Sequence, residues 1–259
     1  VVDKPVIQYV VEEAVGAGID NVLMVTGRNK TAIENHFDRS IEVEGSLFEK
    51  NDLARLEAVT SITDLANIHY VRQGDPLGLG HAVSRAEAFV GDSAFTLLLG
   101  DVIFDEGELL AEMISLAEVH NASVIALAEV SEDEVSSYGI VEVDSRATQE
   151  LLHIKRLVEK PTLEAAPSRL AVLGRYVLRP EIFELLSEQK PGVGGEIQLT
   201  DALNQMAQNP EQFGPVLGIV HTGEFFDTGD RLAYLKTTVR MALNREDLGQ
   251  DFRRWLDAQ

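Results

Sequence analysis

Apolar and polar residues alternate along the first half of the chain in a pattern that predicts helices and buried strands in turn. Between Pro5 and Ala17, apolar residues recur at the spacing of an amphipathic helix. Four short apolar runs follow, and the first three lead into further stretches of helical spacing. These runs are NVLMVTG (21–27), IHYVRQ (68–73), AFTLLLGDVIF (94–104) and ASVIALAEV (122–130). Buried strands that alternate with helices are typical of a doubly wound α/β sheet covered on both faces.

The pattern changes after residue 135. Three strand-like runs follow, with no long helix between the first two, and they predict antiparallel strands in or beside the parallel sheet. These runs are YGIVEVD (138–144), LLHIKRLVEKP (151–161) and RLAVLGRYVL (169–178). Further on, Asp230 is placed to cap a long helix. We therefore expect one domain over residues 1–259, with a mixed but mainly parallel sheet and a C-terminal helical extension from about residue 230.

Composition narrows the possible functions. The formal net charge of −21 and the lack of a basic stripe argue against a nucleic-acid partner. No stretch approaches the roughly 20 apolar residues of a membrane span, and no signal peptide opens the chain. With no cysteine there is no disulfide, thiolate nucleophile or Cys-ligated zinc. We expect a soluble, cytoplasmic protein with no membrane partner.

The glycine-rich stretch YVRQGDPLGLGHAV (70–83) follows a predicted strand but is not a phosphate-binding loop by motif. A Walker loop has Lys directly after its last glycine, whereas His81 follows Gly80 here, and the spacing G-x-G-x-x-G is absent. Gln73 offers amide donors and an acceptor, and the glycines allow a flat ligand to approach the backbone. Two interpretations remain open: a loop that recognises a nucleobase edge, and a tight structural turn.

Two aspartates follow predicted strands directly. Asp101 ends the run LLLGD, and Asp227 ends EFFD. Ligands of open parallel sheets bind at the carboxyl ends of strands, where a carboxylate can hold a divalent cation on phosphate oxygens. The two aspartates could share one Mg²⁺, although aspartate at a strand end is also an ordinary turn or helix cap.

The segment LVEKP places an acidic and a basic residue side by side. Pro161 predicts an extended backbone at Lys160, and neighbouring strand residues face opposite sides. Glu159 and Lys160 could therefore enter one site only where the strand end is irregular. There, the lysine would bind phosphate and the glutamate would accept sugar hydroxyls. The alternative is an exposed ion pair.

Taken in order, seven stretches resemble the uridylyltransferase branch of the sugar nucleotidylyltransferase family, from residue 1 to the C-terminal helix. They are PVIQYVVEEAVGAGI, YVRQGDPLGLGHAV, LLLGDV, YGIVEVD, LVEKPTLEAAPSRLAVLGRYVL, GGEIQLTDAL and FDTGDRLAYL. The resemblance implies a Rossmann-like α/β fold and a homodimer or homotetramer. It also implies an Mg²⁺-dependent reaction in which UTP and glucose 1-phosphate give UDP-glucose and pyrophosphate.

The resemblance also assigns expected roles to residues at the nucleotide end. Gln73 and Gly78 would contact the uracil, so the glycine-rich stretch would be a base-recognition loop. Asp101 and Asp227 would bind Mg²⁺, and Asp101 is one of the two expected catalytic residues.

At the sugar end, the resemblance implies that Gly139 and Glu159 contact glucose. Lys160 would bind the sugar phosphate and would be the second catalytic residue. Asp3 and Lys4 match a family stretch that normally follows a glycine-rich triphosphate loop, which this sequence does not contain. We therefore expect the expressed protein to carry an additional N-terminal strand and that loop.

Three other functions remain open from the sequence. One is a thymidylyltransferase relative, although the sequences of the stretches RQGDPLGLGHA and GGEIQLTDAL favour the uridylyl branch. The second is a non-catalytic module that binds UDP-sugars. The third is a glycosyltransferase with a UDP-sugar donor, since such enzymes also place aspartate and a metal at strand ends.

Overall fold

The computed structural model describes residues 1–104, 108–144 and 151–259. Its helices are α1 (Val6–Gly16), α2 (Thr31–His36), α3 (Ile41–Glu49), α4 (Leu53–Thr63), α5 (Leu79–Ser84), α6 (Glu87–Val90), α7 (Glu108–His120), α8 (Ile182–Glu188), α9 (Leu199–Gln208), α10 (Pro210–Phe213), α11 (Arg231–Asn244) and α12 (Gly249–Leu256). Its strands are β1 (Asn21–Thr26), β2 (Asn67–Arg72), β3 (Phe95–Leu98), β4 (Val102–Phe104), β5 (Ser123–Glu129), β6 (Gly139–Val143), β7 (Leu152–Glu159), β8 (Leu170–Leu178), β9 (Val216–Val220) and β10 (Phe225–Asp227).

A six-stranded sheet in the order β3-β8-β5-β9-β7-β6 forms the centre of the molecule. Side chains of β5 alternate between its faces, because successive strand residues point to opposite sides. Ile125 and Leu127 pack in a core that includes α8 and α9. Val124 and Ala126 pack in a second core with α7. The predicted α/β class, with a mixed sheet and helices on both faces, is confirmed.

The proportion of parallel pairs is smaller than the pattern predicts. In the described residues, parallel pairing joins β5 to β9 and β1 to β2, whereas β8 is antiparallel to both β3 and β5. This corrects the expectation of a mainly parallel sheet. The physical reason is that β8 is largely buried on both faces, and such a run indicates burial without indicating strand direction.

The parallel pair β1–β2 forms a separate two-stranded sheet that packs with α1, α2 and α4 around Val11, Met24 and Phe37. Helices α3 and α4 are absent from the elements predicted above. Several of their apolar residues, among them Ile41 and Phe48, are exposed, so no core-facing stripe marks these helices in the sequence.

One predicted strand is divided in two, and the division shapes the site. The run 94–104 becomes β3 and β4, separated at residues 99–101, and Asp227 lies at the end of the short strand β10. Strand β4 pairs with β10 in an antiparallel register that sets Val102 opposite Asp227. The two distant segments that carry Asp101 and Asp227 therefore meet side by side.

The C-terminal part consists of α11 and α12. Asp230 caps α11 as predicted, because its side chain accepts hydrogen bonds from the backbone N–H groups of Leu232 and Ala233 at 2.8 and 3.0 Å. Among the helices of the described ranges, none has the length and apolar character needed to cross a bilayer.

Candidate active site

The carboxylates of Asp101 and Asp227 face the same space. Thr228 fixes the chain around Asp101, because its backbone N–H and its hydroxyl each donate to the Asp101 carbonyl at 2.7 Å. A Cβ added at Gly229 would lie 3.0 Å from Asp227 Oδ1 and 3.3 Å from Asp101 Oδ2. A side chain at this position would crowd both carboxylates, and glycine leaves that space to the two aspartates.

Asp227 is held by two donors. Its Oδ1 accepts from the Gly229 N–H at 2.7 Å, and its Oδ2 accepts from the Tyr138 hydroxyl at 3.2 Å. Burial, together with the negative charge of Asp227, raises the pKa of Tyr138 to about 12. At neutral pH the phenol is therefore protonated and available as a donor to the carboxylate.

Asp101 and Asp227 lie in a cleft of about 300 Å³ at the edge of the central sheet. Three further residues named by the sequence also line this cleft: Gly139, Glu159 and Lys160. The cleft is thus built from β8, from the ends of β3, β6, β7 and β10, and from the segment before α9. Five of the seven sequence-predicted site residues are brought together there.

The end of β7 is irregular, as a shared site for Glu159 and Lys160 requires. Lys160 has a φ of 41°, in the left-handed region, which corrects the extended backbone predicted from Pro161. Its N–H donates to the Tyr138 carbonyl at 3.1 Å, so the strand end stays attached to β6 while the chain turns. The turn brings Lys160 Nζ within 3.8 Å of Glu159 Oε1, with the lysine side chain 54% exposed and the glutamate 12%.

Glu159 is oriented by its neighbours. The Thr200 hydroxyl donates to Glu159 Oε2 at 2.6 Å. Gly139 lies opposite Glu159 in the β6–β7 register, and a Cβ there would come within 3.3 Å of Thr200 Oγ1. One carboxylate oxygen is therefore fixed by threonine, in a place that a larger residue than glycine would crowd.

Gln73 and Gly78 lie in the loop beside the cleft and not among the residues that line it. The Gln73 amide donates to the Gly78 carbonyl at 3.0 Å, across the loop. Gly78 has a φ of 109°, and a Cβ there would lie 2.7 Å from the Ile197 carbonyl oxygen. The loop is also joined to that segment by a 2.7 Å hydrogen bond from the Ile197 N–H to the Leu77 carbonyl.

Several polar residues of the cleft were not singled out from the sequence. They are Tyr138, Glu196, Gln198 and Thr200. Tyr138 directly precedes the predicted Gly139, and the other three belong to the stretch GGEIQLTDAL. Local spacing gives no signal for them, because the cleft is formed by pairing of strands far apart in the chain.

The donor set fits a magnesium ion bound together with a phosphate ligand. Mg²⁺ is usually held by one or two carboxylates while water and phosphate oxygens complete its shell. Asp101 and Asp227 supply two such carboxylates. No group of three or more His, Cys, Asp or Glu residues suited to a metal occurs in the described part of the chain, so a protein-only zinc site finds no support there.

The chain matches known proteins over most of its length. A model of the family described as Nucleotidyl transferase matches residues 1–243. UTP–glucose-1-phosphate uridylyltransferase YngB of Bacillus subtilis is 43% identical over 258 residues, which make up 99% of this chain and 85% of that protein. UTP-bound UGPase from Acinetobacter baumannii superposes with a TM-score of 0.89 at 39% identity, covering 99% of this chain and 88% of that one. A UDP-glucose pyrophosphorylase complexed with UDP-glucose gives a TM-score of 0.83 at 38% identity, covering 94% and 89%.

Proposed function

Because the chain belongs to the nucleotidyl transferase family, we propose that it transfers the uridylyl group of UTP to glucose 1-phosphate, with UDP-glucose and pyrophosphate as products. The observation that carries the proposal is the convergence of two aspartates, a glutamate and a lysine on one cleft. This arrangement provides a metal site next to groups suited to a phosphorylated sugar.

The reaction needs positioning and charge neutralisation more than covalent chemistry. An oxygen of the sugar phosphate attacks the α-phosphorus of UTP in line, a new P–O bond forms, and the bond to pyrophosphate breaks. The attacking phosphate is already an anion, so no general base is required. The side chains that hold the two phosphates in line therefore supply most of the catalysis.

Asp101 and Asp227 would hold the divalent cation, which we take to be Mg²⁺. When bound, Mg²⁺ neutralises charge on phosphate oxygens. Tyr138 keeps one oxygen of Asp227 in place, and Thr228 fixes the backbone at Asp101. These contacts keep both carboxylates aimed at the space above Gly229.

The sugar phosphate would bind at the end of β7. Glu159, oriented by Thr200, offers acceptor oxygens to glucose hydroxyls, and Gly139 leaves room for the ring. Lys160 is partly exposed beside them, so its ammonium can reach a phosphate at the open side of the cleft. We assign Lys160 to the phosphate of glucose 1-phosphate.

The uracil would bind at the loop that contains Gln73 and Gly78. Within the described residues, Gln73 uses its Nε2 as a donor to the loop, and its Oε1 has no donor of its own. That carbonyl oxygen suits the N3–H of uracil, and the glycines let the base approach the backbone. The contacts from this loop to Ile197 support a fixed base site next to the cleft.

We also propose a homodimer or homotetramer in the cytoplasm. Helix α11 exposes Leu232, Leu235 and Val239 along one side, and apolar patches of this kind support an interface. The absence of cysteine fits a reducing compartment. Light scattering on the purified protein measures the assembly directly, and a monomer at all concentrations would contradict this part of the proposal.

Exchange of labelled pyrophosphate into UTP, driven by UDP-glucose and Mg²⁺, tests the activity of the full-length protein. Asp101→Asn should lower turnover by about two to three orders of magnitude with modest loss of stability, because it removes a metal-bound charge. Asp92→Asn, an exposed aspartate near the other end of β3, is the matched control and should leave turnover unchanged.

Other outcomes of this assay separate the alternatives. UDP-glucose binding without exchange would indicate a binding module, and UDP release that depends on an acceptor would indicate a glycosyltransferase. Faster exchange with dTDP-glucose than with UDP-glucose would assign the chain to the thymidylyltransferases. Near-normal turnover of Asp101→Asn at saturating Mg²⁺ would remove Asp101 from the metal site.

A further inference from the structure

Arg175 is a charged residue in the middle of β8, and its side chain is 0% exposed. A buried guanidinium is costly unless its N–H groups are all paired. The Arg175 guanidinium donates to both carboxylate oxygens of Glu13, at 2.9 and 2.7 Å, and stacks over Phe104 at 4.7 Å. Glu13 belongs to α1, so this ion pair links the first helix to the central sheet.

The remaining donors of Arg175 reach the backbone on both sides of Asp101. One nitrogen donates to the Leu99 carbonyl at 3.2 Å, and another donates to the Val102 carbonyl at 2.7 Å. Leu99 and Val102 flank Gly100 and Asp101, where the chain leaves β3 and enters β4. Arg175 therefore spans the interruption between the two strands and holds both of its ends.

The neighbouring backbone is shaped to allow this contact. Gly174 has a φ of 74°, and a Cβ there would come within 2.9 Å of the Leu99 side chain. The Gly174 carbonyl accepts from the Leu99 N–H at 2.9 Å. Glycine thus permits the close approach of β8 to the Asp101 segment that Arg175 needs.

We propose that the buried pair of Arg175 and Glu13 is a positioning device for the metal-binding carboxylate Asp101, an inference that rests on the function proposed above. Arg175 is not a catalytic residue, because its own side chain does not line the cleft and its donors go to backbone carbonyls beside Asp101, those of the cleft residues Leu99 and Val102. Removing its forked contacts would let residues 99–102 relax, so the Asp101 carboxylate would no longer be held in the geometry that an octahedral Mg²⁺ demands.

The test compares Arg175 with Arg179, which comes directly after the end of β8. Arg179 also donates to both oxygens of a glutamate, Glu181, and to a backbone carbonyl, that of Asn121. None of these partners lines the cleft. Arg179→Met thus removes a similar set of contacts without touching the Asp101 segment, and it serves as the matched control.

The main measurement is Mn²⁺ affinity in the presence of saturating UDP-glucose, from the electron paramagnetic resonance signal of free Mn²⁺, alongside Tm. Arg175→Met should weaken Mn²⁺ binding by about tenfold or more, the usual effect of losing a group that orients a metal ligand. It should also lower kcat with little change in KM for glucose 1-phosphate. The Mn²⁺ affinity of Arg175→Lys should fall between those of the native protein and Arg175→Met, since a point charge cannot bridge both carbonyls. Arg179→Met should lower Tm and leave Mn²⁺ affinity unchanged.

Two results would overturn the proposal. One is an Arg175→Met protein with lower Tm but Mn²⁺ affinity within about twofold of the native value, which would make Arg175 a core residue only. If Arg175→Met does not fold, Arg175→Lys and Glu13→Gln decide by the same criterion. The other is a native protein that binds no UDP-glucose at all, which would overturn the proposed function as well. If the native protein binds UDP-glucose and the variants keep the native metal affinity, only the positioning role is overturned.

Discussion

Tyr138 and Asp227 form a hydrogen bond of the cleft that requires a protonated phenol. The phenol donates to Asp227 Oδ2, while Oδ1 is held by the backbone of Gly229. A phenolate could not donate and would repel the carboxylate. The raised pKa of Tyr138 extends the range in which the phenol can donate to well above physiological pH.

Tyr138→Phe should lower the free energy of unfolding, and this loss should become smaller as the pH rises above 10. The folded pKa of about 12 lies above the ordinary tyrosine value of about 10, so the contribution of Tyr138 is complete below pH 10 and is lost as pH rises towards 12. At pH 8 we expect a loss of about 1 kcal/mol from the hydrogen bond. Denaturant unfolding of both proteins should show this difference shrinking above pH 10. A difference that grows above pH 10 would contradict the assignment.

Lys160→Ala should weaken the use of glucose 1-phosphate much more than the binding of UTP, because the sugar phosphate is its proposed partner. Steady-state kinetics with each substrate varied in turn measure the two effects. Lys155→Ala is the control, since Lys155 lies on β7 just before Lys160, is half-exposed and pairs with Asp144 outside the cleft. A loss confined to UTP would place Lys160 at the nucleotide.

At the scale of single elements, the loop that contains Gln73 and Gly78 combines two properties. The Gln73 amide donates across the loop, and the Gly78 backbone packs against Ile197. A loop fixed in this way loses little entropy when a flat base binds to it. The same contacts are compatible with a purely structural turn, so base selection is the property that distinguishes the two interpretations.

Gln73→Ala should reduce the preference for uracil over other bases and leave the metal requirement intact. Exchange assays with UTP, dTTP and CTP in direct competition measure the preference. Gln189→Ala is the control. Gln189 is another glutamine whose side chain donates to a backbone carbonyl, that of Gln198. An unchanged base preference would make the loop a structural turn.

Gly78→Ala should destabilise the protein more than Gly74→Ala. Both glycines have positive φ, and Gly78, with φ 109° and ψ 173°, lies in a region that is essentially restricted to glycine, where another residue costs about 1–3 kcal/mol in backbone strain. At Gly78 the new Cβ would also meet the Ile197 carbonyl at 2.7 Å, whereas at Gly74 it would meet open space. Thermal unfolding should rank the variants in that order, and equal Tm values would show that the loop can move away from Ile197 without cost.

Much of the architecture could be predicted from the sequence, because burial leaves a periodic signal. The amphipathic α1, the doubly buried β5 and the Asp230 cap of α11 each follow from local pattern. The direction of β8 could not be predicted, since a strand that is buried on both faces gives the same pattern in either orientation. Strand interruptions such as that at Asp101 also leave no periodic signal.

The candidate site was predictable in part for a related reason. Asp101 and Asp227 stand at strand ends, and chemistry at strand ends is a general property of α/β sheets. Tyr138 and Thr200 act through contacts with residues 89 and 41 positions away in the chain, which only the folded arrangement reveals. The turn at Lys160 depends likewise on its hydrogen bond to Tyr138, and Pro161 alone predicts a different backbone.

At the scale of the whole molecule, charge is the dominant feature. The chain has 43 acidic and 22 basic residues, which gives the formal net charge of −21. The cleft shares this sign, since Asp101, Asp227, Glu159 and Glu196 face Lys160 there. Phosphate ligands would be repelled by such a cleft alone, which supports the requirement for a divalent cation.

The same excess charge should make stability depend on ionic strength. Like charges on a compact surface repel one another, and screening shortens the range of that repulsion from about 30 Å at 0.01 M salt to about 8 Å at 0.15 M. We therefore expect Tm at pH 7.5 to rise by a few degrees when NaCl is raised from about 10 to about 150 mM.

The control is the same protein at a second pH. Near the isoelectric point of about 4.6 that its composition implies, the net charge approaches zero, so the same addition of salt should leave Tm nearly unchanged. Scanning fluorimetry at both pH values measures the two effects. An equal rise at both would mean that the salt acts on hydrophobic burial or on a specific ion site, and that repulsion among the 43 carboxylates is already offset by local pairing.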